Sequence, residues 1–205
     1  MLHSQTWGKG RPVVLVHGFT QTGRSWGRFG AELGRAFMVR AIDAPGHGRS
    51  AQVGAGLWDG AELVGRAGGP GAYLGYSMGG RLCLHLALAR PELVSALVLV
   101  SASAGLDTEG ERAARREADE TCARRLEADG VEAFVTWWLS RPMWATLPPE
   151  AAGAGERLAN TAAGLASSLR LAGAGRLEPP LWDRLGELAM PVLVVAGGLD
   201  QPYVE

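Results

Sequence analysis

The chain lacks the marks of a nucleic-acid or membrane protein. Its 205 residues carry 20 Lys and Arg against 21 Asp and Glu, for a net charge of −1, with no basic or acidic tail. Nothing in that balance invites nucleic acid. No apolar run is long enough to cross a bilayer, and no charged-then-apolar leader opens the chain. Cysteine is scarce. Cys83 and Cys122 stand in helical stretches without metal-site spacing and read as small, buried or half-buried residues of a reducing compartment. Lys9 is the only lysine, and all other basic residues are arginine. With the abundance of Gly and Ala, this reflects a GC-rich genome rather than a function. No metal cluster or phosphate-binding loop is apparent, so no cofactor and no metal are expected. The default is a soluble cytoplasmic protein, long enough for one sizeable core.

What is present centres on Tyr73 to Gly80. Gly75-Tyr76-Ser77-Met78-Gly79 fits G-x-S-x-G, a strand that turns abruptly into a helix with a serine at the turn. A serine on so tight a turn has strained torsions and an exposed hydroxyl. The flanking glycines keep side chains out of the neighbouring strand and helix, and the helix N-terminus faces any negative charge that develops there. The competing reading is an ordinary glycine-rich turn. A short apolar run before the motif and a helical stretch after it favour the nucleophile elbow.

Strands and helices alternate around this motif. Val13 to Val16, Phe37 to Ile42, Ala72 to Tyr76 and Ala96 to Val100 read as strands. Helices are expected from Ser25, a candidate N-cap, to Leu33, over Trp58 to Ala67, and from the elbow to about Arg90, before Pro91. Asp43-Ala44-Pro45-Gly46-His47-Gly48-Arg49-Ser50 is a turn-rich loop. The pattern implies an α/β fold with a mostly parallel sheet covered on both faces. From Thr108 to about Leu188 no strand is apparent. Thr108 and Glu111 form a capping box, a charged helix runs to Asp129-Gly130, and an amphipathic one follows from Val131 to Leu139. Further helices are expected over Ala159 to Leu171 and Leu181 to Leu188. Val192 to Ala196 then returns to a buried strand that ends in Gly197-Gly198-Leu199-Asp200. The organisation is a first part of the core over 1–104, a helical lid over 105–188 and a second, incomplete part of the core over 189–205.

Four segments, each after a strand, together resemble the α/β-hydrolase superfamily: His17-Gly18-Phe19, Asp43-x-Pro45-Gly46-His47-Gly48-x-Ser50, the elbow, and Gly198-Leu199-Asp200. The resemblance implies Ser77 as the catalytic serine, Asp200 as the acid, and an oxyanion hole from the backbone N–H groups of Phe19 and Met78. Within the superfamily, Gly75 to Arg81, Glu111 to Arg115, Trp138 with Pro142, and Gly164-Leu165-Ala166 with Arg157 resemble the menaquinone-pathway synthases. These are lyases that eliminate pyruvate from a tricarboxylate. That resemblance implies a small-molecule carboxylate substrate held by Arg81, Arg115 and Arg157, with Tyr76 and Trp138 lining the pocket and serine acting as a base. Arginine forks suit carboxylates, and Arg81 lies one helical turn after Ser77. Two alternatives stand beside it: a serine esterase for small acyl substrates, and a non-catalytic binding protein.

Asp43 serves a turn more readily than catalysis, and Asp200 could be a simple cap. Arg115 and Arg157 could lie on solvated faces. Of Trp137 and Trp138, one is expected in the core and the other in the pocket or at the surface. The family's histidine follows the acid, whereas His3, His17, His47 and His85 all precede Asp200. His17 and His47 read as loop braces, His85 lies too far along its helix, and His3 is placed at a mobile terminus. The expectation is a chain cut short near the start of a loop and helix at 200–205, with little triad activity. The competing account is a protein that has lost catalysis.

Overall fold

The computed structural model describes residues 1–200 and residue 203. The expected loop and helix start at 200–205 therefore falls mostly outside the described residues. Six strands form one sheet: β1 (Ser4–Trp7), β2 (Pro12–Val16), β3 (Met38–Ile42), β4 (Gly71–Tyr76), β5 (Val94–Val100) and β6 (Val192–Val195), in the order β1-β3-β2-β4-β5-β6. β1 pairs antiparallel with β3, and all other neighbours are parallel. Parallel strands need crossovers. These are supplied by α1 (Gly27–Leu33), α2 (Leu57–Gly68) and α3 (Met78–Ala89), and by a long helical excursion between β5 and β6.

The β-branched and aliphatic runs make the centre of the sheet. Val14, Leu15 and Val16 are fully buried, as are Tyr73 and Leu97. One face packs on α2 and α3 through Leu57, Val64, Leu82 and Leu86. The other face carries Leu15, Val39 and Ala41 against Trp7 and Trp26.

The excursion contains α4 (Glu109–Leu139), α5 (Ala154–Arg157) and α6 (Ala162–Ala172). Thr108 and Glu111 cap the start of α4 reciprocally. The break expected at Gly130 is present as a single residue with φ 79° and ψ 173° inside α4, a conformation that glycine adopts without strain. Ala123, Leu126 and Phe134 of α4 pack against Leu165, Ala166 and Leu169 of α6 in a separate apolar cluster, with Phe19 and Trp138 at its border. That border joins the excursion to the sheet's C-terminal edge.

Several local expectations are corrected. Ser25 is not the N-cap. Thr22 caps a 3₁₀ turn over Gly23–Trp26, and Ser25 is its reciprocal partner. The last expected helix is a 3₁₀ segment over Trp182–Glu187. His3 is no loose end, because its N–H donates to Ser50 Oγ at 2.9 Å and its carbonyl accepts from the Asp43 N–H at 2.9 Å. β6 is not buried: Val192 to Val195 are 41–63% exposed, on a strand that pairs only with β5 among the described residues.

Candidate active site

Ser77 stands between β4 and α3 at φ 52° and ψ −112°, a positive φ that non-glycine residues seldom adopt. The turn is held by the Ser77 N–H, which donates to the Val100 carbonyl at 2.8 Å. The turn is this tight because its glycines lack side chains. A Cβ at Gly75 would lie 2.4 Å from the Gly79 carbonyl oxygen, and one at Gly79 would lie 2.0 Å from that of Val16. α3 thus begins directly against the end of β2.

The loop after β2 reaches the same place. His17 ties it down from within: Nδ1 donates to the Gly18 carbonyl at 2.8 Å, and Nε2 accepts the Ala44 N–H at 3.0 Å. Burial, followed by the charge on Arg157, lowers the His17 pKa to about 4, so the ring is neutral and its tautomer fixed by its partners. His47 is equally buried. Its Nδ1 meets the Pro45 carbonyl at 2.9 Å, its ring edges onto Phe19, and burial lowers its pKa to about 3. Asp43 is a brace too, accepting the Gly23 N–H at 2.7 Å and the Arg49 N–H at 2.9 Å.

A cavity of about 450 Å³ opens over the elbow, lined by Phe19, Ser77, Met78, Arg81, Arg115 and Trp138 among others. A second, of about 610 Å³, shares Phe19, Ser77, Arg115 and Trp138 and adds Tyr76 and Asp200. Among the described residues, the backbone N–H groups of Phe19 and Met78 and the Ser77 hydroxyl have no hydrogen-bond partner. Free backbone donors in a cavity that also holds a serine can stabilise an oxyanion where they converge. None of the four histidines lines either cavity.

The three arginines differ. Arg81 is 6% exposed, with its pKa lowered to about 10 by burial and then by the charge on Arg115, so it remains a cation at neutral pH. Arg115 is half-exposed and lines both cavities. Arg157 lines neither. It is 2% exposed and faces the loop after β2, where it donates to Thr20 Oγ1 while its Nε donates to the Ala152 carbonyl at 2.9 Å. The geometry thus gives Arg157 the loop rather than the cavity. Trp137 and Trp138 both line the first cavity instead of dividing between core and pocket, because Trp137 is held by Arg125 and Arg141 at 4.4 and 5.0 Å from its ring.

Two residues here were missed by sequence reasoning. Asp119 lies in the charged part of α4 yet is buried, with Oδ1 accepting from Arg115 Nε at 2.9 Å. Tyr203 lines both cavities. The spacing of Asp119 four residues after Arg115 was the available signal, but solvated ion pairs share it.

The fold and the elbow define the class, and residues 11–203 match the alpha/beta hydrolase fold family. The chain belongs to the α/β-hydrolase family. Within it, the chain is similar to a Bacillus subtilis protein named as a 2-succinyl-6-hydroxy-2,4-cyclohexadiene-1-carboxylate synthase, with 36% identity over 93% of this chain and 74% of that protein. The solved structure of MenH from S. aureus superposes with a TM-score of 0.90 at 30% identity, over all of this chain and 83% of that one. A thermophilic esterase from Thermogutta terrifontis, solved with malate bound, gives a TM-score of 0.77 at 26% identity, over 96% of this chain and 74% of that one.

Proposed function

We propose that the chain is a carbon–oxygen lyase of the menaquinone pathway, forming 2-succinyl-6-hydroxy-2,4-cyclohexadiene-1-carboxylate with release of pyruvate. The observation that carries this reading is the pairing of Arg81 and Arg115 with Ser77 in one cavity. An esterase needs the serine and the oxyanion donors but no pair of guanidinium groups beside them. A substrate with several carboxylates does. The B. subtilis and S. aureus relatives support the same substrate class.

In this reading the arginines fix the substrate carboxylates, while Tyr76 and Trp138 line the walls. Ser77, once its own hydroxyl proton has passed to a base, takes a proton from the substrate carbon. The electron pair moves onto an oxygen facing the Phe19 and Met78 N–H groups; its return forms the new C=C bond and breaks the C–O bond, and the departing unit leaves as the enolate of pyruvate, which takes up a proton. Asp200 shares a cavity with Ser77, which supports its assignment as the acid. Arg157 contributes through the loop that presents Phe19. No imidazole accepts the Ser77 proton among the described residues. The step needs a base for the Ser77 hydroxyl proton, since a serine without one loses several orders of magnitude in rate. Two buried or half-buried free thiols suit work in the reducing cytoplasm.

The test pairs calorimetric binding of the tricarboxylate with pyruvate release coupled to lactate dehydrogenase. Arg81→Ala is expected to weaken binding by about 100-fold, as for a lost bidentate, charge-assisted contact. Binding of an uncharged triester analogue should fall far less. Tricarboxylate binding that is absent, or indifferent to Arg81→Ala, would sink the proposal in favour of the esterase.

A further inference from the structure

Asp119 differs from every other acidic partner along α4. The helix carries several i,i+4 ion pairs. Glu120 with Arg124 and Asp129 with Arg125 keep their carboxylates 35% and 43% exposed, whereas the Asp119 side chain is 8% exposed. A buried carboxylate is costly unless its oxygens are partnered. Oδ1 accepts from Arg115 Nε at 2.9 Å, but Oδ2 has no partner among the described residues. Its space exists because position 173 lacks a side chain: a Cβ at Gly173 would lie 2.2 Å from Oδ2. Arg81 is buried nearby, with its Nε also unpartnered among the described residues; it feels the charge of Arg115, and Asp119 feels its charge. The bond to Asp119 occupies Arg115 Nε and leaves the two terminal nitrogens of the guanidinium for the cavity. Without that anchor, a half-exposed side chain beside a second cation would be driven toward solvent by repulsion and by rotamer entropy.

We infer that Asp119 is a positioning residue for the Arg81–Arg115 pair, holding the Arg115 fork toward the cavity so that both cations act on one polycarboxylate ligand. This rests on the reading that the pair binds substrate carboxylates. Gly173 is the second half of the device, since it provides the space for the carboxylate.

The experiment is calorimetric titration of the protein with malate and with the uncharged dimethyl ester of malate. The unsubstituted protein should prefer the dianion. Asp119→Asn should weaken malate binding by about tenfold or more, in line with loss of one charge-assisted bond. This should happen although the protein becomes more positive, and ester binding should be unchanged, so the preference collapses. Undiminished or tighter malate binding by Asp119→Asn would overturn the inference, as would equal weakening of both ligands, which marks a merely structural role. Arg81→Ala, run in parallel, separates the two readings. If it loses malate while Asp119→Asn does not, only the positioning role falls. If the unsubstituted protein does not bind malate, the carboxylate reading falls and takes this one with it. Should Asp119→Asn fail to fold, NMR of the arginine Nε–H groups in the unsubstituted protein decides. The Arg115 signal should exchange slowly and shift on adding malate. Exchange as fast as that of exposed Arg124, with no shift, would overturn the positioning role.

Discussion

Asn160 Nδ2 donates to the Thr20 carbonyl oxygen at 2.7 Å, which fastens the helical excursion to the loop that carries Phe19. The same amide accepts the Gly48 N–H through Oδ1 at 2.8 Å, so one side chain joins three segments far apart in sequence. Thr20 has φ 66°, an unfavourable value for a β-branched residue that needs such support. Asn160→Ala would leave the Thr20 carbonyl and the Gly48 N–H without this partner. A loss of roughly 2 kcal/mol or more is expected, read as a lower midpoint in urea unfolding. An unchanged midpoint would show that water replaces the amide without cost.

The buried histidines set the acid limit of stability. His17 and His85 have their pKa lowered to about 4, and His47 to about 3, in each case chiefly by burial. Below pH 6.5 the unfolded chain binds protons at these rings and the folded chain does not. Stability should therefore fall as pH drops from about 6.5 toward 4, by on the order of a few kcal/mol between pH 7 and pH 5. Denaturant titrations at the two pH values check this, and a flat profile would mean that the rings are not neutral in the fold.

Gly75→Ala tests the elbow without touching the serine. The added methyl carbon would sit 2.4 Å from one backbone atom and 2.6 Å from two more, none of which belongs to a side chain that can move aside. The expected result is a melting temperature lower by about 10 °C or more, or no folded protein at all. A variant that melts like the parent would mean that the strand and helix are not packed this closely.

β6 offers the opposite case. Leu193 and Val194 are 57% and 63% exposed on a strand that, among the described residues, pairs only with β5. Leu193→Lys with Val194→Lys should change stability by less than about 0.5 kcal/mol per site while suppressing self-association seen by light scattering, because charge blunts an open edge. A large loss of stability would instead mean that these side chains are covered.

The parallel sheet was legible because Val13 to Val16 and Ala96 to Val100 are apolar on consecutive residues, as strands covered on both faces must be. The elbow was legible because only glycine fits at positions 75 and 79. β1 was not: Ser-Gln-Thr-Trp carries no apolar alternation, and its pairing with β3 comes from the backbone. Asp119 was hidden among neighbouring charges, since its burial is decided by Gly173 on a distant segment. Arg157 was expected at the substrate from the family resemblance, and its contact with Thr20 could not be foreseen, because no local pattern announces the Thr20 conformation. What escaped the sequence is in each case a relation between remote segments rather than a property of one.

The Asn160 clamp also bears on the order of folding. Its contacts to Thr20 and Gly48 span sequence separations of 140 and 112 residues. Closing loops of that length is entropically slow, and contacts of this range are made only after the local ones around them. The Phe19 amide is therefore expected to take its final place after the helical excursion has folded back onto the sheet. The elbow rests on shorter separations, Ser77 to Val100 and Gly79 to Val16, and is expected earlier. Newly made chains should pass through a stage with an ordered serine turn and an unformed anion site.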